Sequence, residues 1–383
     1  MVCEPVETAA AAATEARQLD LPEGVPVLNS FYLYLVAGCN LACRHCWITP
    51  TFVNGEPSPG EWLSLELLRL AVDEAKPLGL SNVKLTGGEP TLHPHFVEVV
   101  DYLTSEGLGL TMETNGTLID AGLARHLKER TTMNFISVSL DGARPETHDR
   151  FRGVPGAWEA ALRGLGHLVE AGYKNVQVIM SPHRGNIGEV EDLVRLAVER
   201  GAGSVKFNPV SRSGRGIAMH ERGEALDYDE TLALVRRVNG ELQDRTPIRL
   251  HIMLPPAMMT VKELFRSNDG GGACHVRHIL GILGTGEMAL CGIGRSVPEL
   301  CFGRLGQDSL REVWVSHPML QQLRRDLDSQ YPGVCGDCIH APRCLTHCVA
   351  QNYVDSGRLV WPSDMCAEAV RRGTFPSSRL RNG

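Results

Sequence analysis

Between residues 31 and 253, short apolar runs alternate with segments in which apolar residues recur at helical spacing. That alternation restricts the chain to a parallel sheet with helices packed outside it. The runs lie at 31–37, 82–86, 108–113, 134–140, 175–180, 204–208 and 249–253. The first, FYLYLVA, is apolar without alternation, as in a strand buried on both faces. Between the runs, Leu65, Leu68, Val72 and Ala75 share one helical face that Pro77 and Gly79 bring to a stop. Further helices are predicted near 94–106, 120–129, 157–171, 187–200 and 228–244. Six or seven βα units in succession curl into a closed or partly closed barrel. Chemistry in such a barrel belongs to the loops after the strands, at their C-terminal ends.

The cysteines lie to either side of this pattern. Of the twelve, Cys3 sits in an Ala-rich leading segment, three lie at 39, 43 and 46, and eight follow residue 273. About 220 cysteine-free residues and ample apolar material are unlike a small disulfide scaffold, so metal is favoured over disulfide. A net charge of −7, from 38 Lys and Arg against 45 Asp and Glu, gives no basic footprint for nucleic acid. No cationic segment with an apolar core opens the chain and no run of 18 apolar residues occurs, so a cytoplasmic protein without membrane contact is expected. Three units are read: a flexible extension at 1–27, the barrel at 28–255 and a cysteine-rich unit at 256–383, reached through a Gly-rich link at 268–273. Little periodic apolar sequence remains in the last unit, so bound metal is expected to help hold it together.

The first strand runs into AGCNLACRHCW, which puts Cys39, Cys43 and Cys46 on the loop at the catalytic mouth with C-x3-C-x2-C spacing. Three thiolates leave one iron of a [4Fe–4S] cluster open to another ligand. A zinc site completed by His45 is the rival reading. At these residues the chain resembles the radical S-adenosylmethionine (SAM) superfamily, over roughly residues 30 to 250. The resemblance implies a partial (β/α)6 barrel in which the open iron is chelated by SAM. One electron from the cluster then cleaves the sulfonium to methionine and a 5′-deoxyadenosyl radical, which abstracts hydrogen from substrate. It also implies that Gly87, Gly88 and Glu89 of TGGEP meet the cofactor's amino group. Ser139 and Asp141 of SVSLDG offer oxygens suited to its ribose, and Arg152 of DRFRG can meet a carboxylate of cofactor or substrate. His45 and Trp47 are expected to shield cluster and adenine rather than act as acid or base. Asn115 in ETNGT reads as the Asx residue of a turn.

The later cysteines form C-x11-G-x4-C (Cys274, Gly286, Cys291), then C-x2-C-x5-C-x3-C (Cys335, Cys338, Cys344, Cys348), then Cys366. Eight ligands make two four-cysteine sites, and zinc ribbons share the C-x2-C pairs. The composite pattern resembles the SPASM domain found behind the barrel in radical enzymes that modify peptides and proteins. That resemblance implies two auxiliary [4Fe–4S] clusters. Cys335, Cys338, Cys344 and Cys366 would hold the outer one, and Cys274, Cys291 and Cys348 the inner one. Cys301, the only cysteine of the region left over, is assigned as the inner cluster's fourth ligand. Members that oxidise a residue to formylglycine carry an acid where this chain has Gly292, which disfavours that reaction.

The resemblance therefore implies an oxidoreductase acting on a ribosomally made peptide or a protein, forming a thioether or carbon–carbon crosslink. The auxiliary clusters would accept the resulting electron, and an electron donor such as flavodoxin or ferredoxin would supply the first. Leader recognition would fall to a separate leader-peptide-binding protein or to the SPASM surface. The alternative is a radical dehydrogenase of small molecules, such as tetrapyrrole side chains or aminoglycosides.

Overall fold

The computed structural model describes residues 19, 21–48, 58, 60–266, 275–329 and 331–381. Cys3, Cys274, the link at 268–273 and the extension up to residue 18 lie outside them. Seven parallel strands follow in chain order: β1 (Ser30–Tyr34), β2 (Asn82–Thr86), β3 (Gly109–Thr114), β4 (Met133–Ser139), β5 (Gln177–Met180), β6 (Ser204–Phe207) and β7 (Arg249–Ile252). All seven predicted runs are thus strands, to within a few residues at their ends. The connecting helices are α1 (Leu65–Ala75), α2 (Phe96–Ser105), α3 (Ala121–Arg130), α4 (Pro145–Arg152), α5 (Ala157–Glu170), α6 (Val190–Glu199), α7 (Gly216–Glu221) and α8 (Tyr228–Arg237). In α1 the Ser64 side chain accepts from Leu67 N at the start, and Gly79 takes a left-handed φ of 103° where the following turn ends. Helix α4 is an element that the sequence reading missed, although Pro145 at its first turn and left-handed Gly153 after it mark both ends.

The strands alternate between two environments, with a register shift where β4 begins beside β3. Val83, Leu85, Leu110, Met112, Ile136, Val138, Val205 and Phe207 join one apolar core with Leu68, Val72, Val99, Leu165 and Leu193 of the helices. The intervening residues face the lumen and are largely polar: Lys84, Thr86, Glu113, Ser139 and Lys206 line a cavity there. A closed eight-stranded barrel fills its interior with branched apolar side chains. This barrel is partial, since β7 ends the sheet and does not pair with β1, and its lumen stays open to a ligand.

The far edge of β1 is taken by the C-terminal part of the chain. Strand β8 (Ile279–Leu283) pairs in parallel with β1, and β9 (Glu287–Ala289) and β10 (Cys301–Arg304) continue the sheet antiparallel. The sheet therefore runs without interruption from β10 through β1 to β7. Periodic apolar sequence also persists here, contrary to expectation. Leu310, Val313 and Trp314 of the helix at Leu310–Ser316, and Leu320, Leu323 and Leu327 of the next, Pro318–Ser329, are buried in the barrel's own core. Glu74 of α1 accepts from Leu310 N at 2.7 Å, placing a carboxylate at the first of these N-termini. Trp314 Nε1 donates to Pro26 O at 2.9 Å, and Arg324 lies over its ring at 4.7 Å. Among the described residues, no helix is long and apolar enough to cross a membrane.

Trp314 is 1% exposed, so it joins the C-terminal part to the barrel through the core rather than the surface. Trp314→Ala is expected to cost about 3–5 kcal/mol, seen as a lower midpoint in urea unfolding. Glu74→Ala, which removes one helix-end contact, should cost about 1 kcal/mol.

Candidate active site

The loop after β1 has no regular structure, and neighbouring loops impose its shape. Gly88 N and Glu89 N, from the loop after β2, donate to Val36 O at 3.1 Å and Gly38 O at 3.0 Å. After β4, Phe151 O and Arg152 O at the end of α4 accept from Arg44 N at 3.0 Å and Ala42 N at 2.9 Å. After β6, Arg215 N donates to Cys46 O at 3.0 Å. Cys39 and Cys43 are buried and Cys46 is half-buried. All three line one cavity of about 460 Å³ at the C-terminal end of the strands. Burial pushes the Cys39 thiol well above its usual pKa, and the neighbouring Cys43 and Glu89 add to this. Leu41 N donates to Cys39 Sγ at 3.4 Å and the Arg152 guanidinium approaches Cys43 Sγ at 3.5 Å. Such thiols ionise when a metal binds, and donors aimed at sulfur are what an iron–sulfur cluster finds useful.

The GGE loop differs in detail from expectation. Gly87 and Gly88 line the cavity, whereas Glu89 is 1% exposed and faces inward. Its Oε1 accepts from Thr91 N, Thr91 Oγ1 and Thr114 Oγ1, and its Oε2 from Asn115 N at 2.7 Å. Burial raises its pKa and these donors act against the rise. Glu89 thus holds the loops after β2 and β3 together, while the surface offered to a ligand is glycine backbone. A side chain at Gly88 is impossible, because its Cβ would lie 1.6 Å from Gly38 O. Asn115 fits the Asx-turn reading, with Oδ1 accepting from Thr117 N at 2.9 Å. It also lines the cavity and donates to Asn40 Oδ1 at 2.7 Å, on the cysteine loop.

Ser139 lines the cavity, but Asp141 does not reach it. Asp141 is fully buried, with Oδ2 2.5 Å from Arg152 Nε and Oδ1 accepting from Ser181 N at 2.6 Å. Burial opposes its ionisation, yet the Arg152 guanidinium holds its pKa below the usual carboxylate range. The sequence placed Asp141 among the ribose contacts. In the fold it is instead the counterion that fixes Arg152 beside Cys43. Arg152 does line the cavity. His45 stacks on Phe151 at 4.4 Å, and burial pushes its pKa down to about 3, which leaves the ring neutral. Trp47 lines the cavity and meets Tyr34 edge-on at 6.2 Å.

The C-terminal cysteines fall into two places. Cys335, Cys338, Cys344 and Cys366 come together: burial and then one another's proximity push Cys335 and Cys344 up to about 12, and Cys366 rises to about 11. Cys291 and Cys348, by contrast, line the same cavity as Cys39, Cys43 and Cys46. Among the described residues, no three His, Cys, Asp or Glu converge tightly enough to bind a single metal ion. A cubane spreads its thiolates over separate corners, and these donor sets are thiols alone. Leu345, Thr346 and His347, between Cys344 and Cys348, take left-handed φ of 49°, 60° and 73°. Three successive non-glycine residues there are costly. The run leaves Thr346 and His347 N–H pointing at Cys344 sulfur, and the first turn of the helix Val349–Ser356 points Ala350 and Gln351 N–H at Cys348 sulfur. No glycine marks this run, so sequence patterns could not find it. Cys301 does not line the cavity, but packs against the small apolar cluster of Tyr34, Ile48, Leu283 and Ala289 that Cys46 also touches. Its thiol donates to Gly294 O at 3.4 Å, and after burial the group that raises its pKa is Glu287, not a cysteine.

Gly292, after Cys291, is constrained by packing. A Cβ there would lie 2.2 Å from the Tyr34 ring, so this position has no room for an acid.

Comparison with known proteins agrees with this geometry. The radical SAM superfamily model matches residues 33–197, and the SPASM iron–sulfur cluster-binding domain model matches residues 274–339. An AdoMet-dependent heme synthase of Nitratidesulfovibrio vulgaris is 28% identical over 92% of this chain and 96% of that protein. The mycofactocin maturase MftC of Mycobacterium ulcerans is 28% identical over 87% of this chain and 86% of that protein. Among solved structures, anSMEcpe with bound AdoMet superposes with a TM-score of 0.70 at 16% identity, over 93% of this chain and 95% of that one. Streptococcus suis SuiB bound to its precursor peptide SuiA gives 0.67 at 15%, over 90% and 76%. The two domain models together span more than half of the chain, which belongs to the radical SAM superfamily as an enzyme with a SPASM domain behind its partial barrel.

Proposed function

We propose that this enzyme is a peptide or protein maturase that abstracts hydrogen from its substrate and carries out a net oxidation, ending in a thioether or carbon–carbon crosslink. The observation that carries the reading is the single cavity shared by Cys39, Cys43, Cys46, Cys291 and Cys348. A [4Fe–4S] cluster on the first three cysteines supplies the electron for one-electron cleavage of bound SAM. The residues around it have separate tasks. Arg152 and Leu41 N place positive charge and a donor beside two of the sulfurs, and the Gly87–Gly88 backbone with Ser139 forms the polar wall for the cofactor. Neutral His45 and Trp47 exclude water beside Cys46 without exchanging protons.

Net oxidation needs an outlet for an electron. Cys291 and Cys348 suit an inner auxiliary cluster at the wall of the substrate space, with Cys274 as a further ligand. Cys335, Cys338, Cys344 and Cys366 suit the outer one. Cys301, whose thiol donates to Gly294 O, is the candidate fourth ligand of the inner set, and where it keeps that contact a substrate or another group would complete the set. The SPASM domain, the mycofactocin maturase relative and the likeness to SuiB with its precursor peptide support a peptide substrate. A second reading, oxidation of a tetrapyrrole side chain, is favoured by the heme synthase similarity across nearly the whole chain. Formylglycine formation stays disfavoured, since Tyr34 fills the space an acid at 292 needs.

Anaerobically reconstituted protein is expected to hold about twelve irons per chain, as three cubanes require; zinc without iron would refute the cluster assignment. Under reduction, wild type should convert SAM to 5′-deoxyadenosine and Cys43→Ala should not, as followed by chromatography. Cys348→Ala should retain 5′-deoxyadenosine formation while losing the product two hydrogens lighter than a co-expressed precursor peptide, measured by mass spectrometry. Conversion of a porphyrin propionate in place of the peptide would instead establish the second reading.

A further inference from the structure

Among the described residues, three lysine and arginine side chains line the cavity: Lys84 on β2, Arg152 at the end of α4 and Lys206 on β6. Two of them are matched. Lys84 Nζ meets Glu113 Oε1 at 2.5 Å, and Arg152 Nε meets Asp141 Oδ2 at the same distance. Lys206 makes no ion pair or hydrogen bond with a described residue and senses Glu113 only through space, with Lys84 acting against it. Its strand neighbours in register are Ile179 on β5 and His251 on β7, neither of them an acid. Among the described residues, Glu113 is the only carboxylate on the cavity wall, and it already serves Lys84. The lumen therefore carries, among the described residues, one ammonium more than its carboxylates neutralise.

A lysine held in such surroundings without a counterion is unfavourable, and desolvation indeed pulls the Lys206 pKa down. A fold that needed only packing here would gain from an apolar residue, as at Ile179 beside it. The arrangement suits an anion that arrives with the ligand. Ser139 and Asn208 line the same wall and can donate neutral hydrogen bonds to it.

We propose that Lys206 anchors a carboxylate of the substrate inside the barrel, so that the substrate class is one presenting a free carboxylate to the lumen beside the cysteine loop. This rests on the reading of the cavity as the substrate space of a radical SAM enzyme. The carboxylate of SAM itself offers the same chemistry, and the experiment separates the two sources.

The probes are N-acetyl-trialanine with a free C-terminal carboxylate and its C-terminal amide, titrated calorimetrically into reconstituted holoenzyme saturated with SAM. Wild type should prefer the acid to the amide, with an affinity that falls as salt is raised. Lys206→Met should weaken the acid by about tenfold to a hundredfold and leave the amide unchanged, whereas Lys206→Arg should retain the preference. Iron content equal to wild type reports that each variant is folded. An absent preference for the acid in wild type, or a preference that survives in Lys206→Met, overturns the proposal. So does a Lys206→Met variant whose affinity for SAM falls while its acid preference persists, which would assign the charge to the cofactor. Formation of 5′-deoxyadenosine by reduced wild type is read in parallel. Its absence would sink the underlying enzyme reading, whereas its presence without acid preference sinks the carboxylate subsite alone.

Discussion

The cysteine loop after β1 depends on close backbone contact with other loops. It has no helix or strand to define it, so its path is set by hydrogen bonds donated by Gly88, Glu89 and Arg215 N–H and by those its own Arg44 and Ala42 N–H give to Phe151 and Arg152 carbonyls. These contacts work only where side chains are missing. A Cβ at Gly88 would sit 1.6 Å from Gly38 O, one at Gly153 2.8 Å from Ala42 O, and one at Gly214 2.4 Å from Trp47 O. The last two residues also have left-handed φ, 77° and 53°. Loops after β2, β4 and β6 thus converge on one irregular segment, and the parallel order of the strands is what brings their C-terminal ends to one mouth.

Within that mouth, buried charge fixes position more than it adds stability. Taking Asp141 and Arg152 out of water costs much of what their attraction returns. Their pairing nevertheless leaves Arg152 one orientation, beside Cys43, with Asp141 itself held by Ser181 N and by its own N–H donating to His148 Nδ1 at 3.0 Å. The left-handed run Leu345–His347 follows a similar logic at the outer cysteines, where backbone strain turns N–H groups toward sulfur. In both places an unfavourable local arrangement is retained because it directs a donor at a thiol.

Much of the fold was legible because its signals are local or periodic. The seven apolar runs became strands, Pro77 and Gly79 ended a helix, and the C-x3-C-x2-C spacing put three thiols on one loop. What escaped was relational. Glu89 and Asp141 stand beside cavity-lining residues in sequence, yet both turn inward, because their partners Thr114, Asn115, Arg152 and Ser181 come from other βα units. Residue type alone cannot say which carboxylate meets which cation across the chain. The FYLYLVA run reads as uniformly apolar, but alternation gives Phe31 and Leu33 to the helix-side core and leaves Tyr34 to pack against Gly292. Likewise the spacing of the late cysteines makes Cys301 the eighth ligand, while in the fold its thiol, on β10, donates to Gly294 O and does not line the cavity with Cys291 and Cys348.

The placement of the two cysteine groups on one cavity follows from sheet pairing rather than from a flexible connection. Strand β8 occupies the edge of β1, in register from Ser30 with Ile279 to Tyr34 with Leu283. The hairpin to β9 then returns Cys291 against Gly281, whose absent side chain lets the Cys291 Cα approach to 2.8 Å of where a Cβ would be. Tyr34 ends β1 just before the cysteine loop and packs on Gly292 just after Cys291. The separation between Cys291, just after β9, and the Cys39–Cys46 loop, just after β1, is therefore set by the strand-to-strand steps β9–β8–β1 of a continuous sheet. Electron transfer between metal centres depends steeply on distance, and a sheet holds such a distance more firmly than a linker could. The polar, open lumen beneath is lined by both cysteine groups.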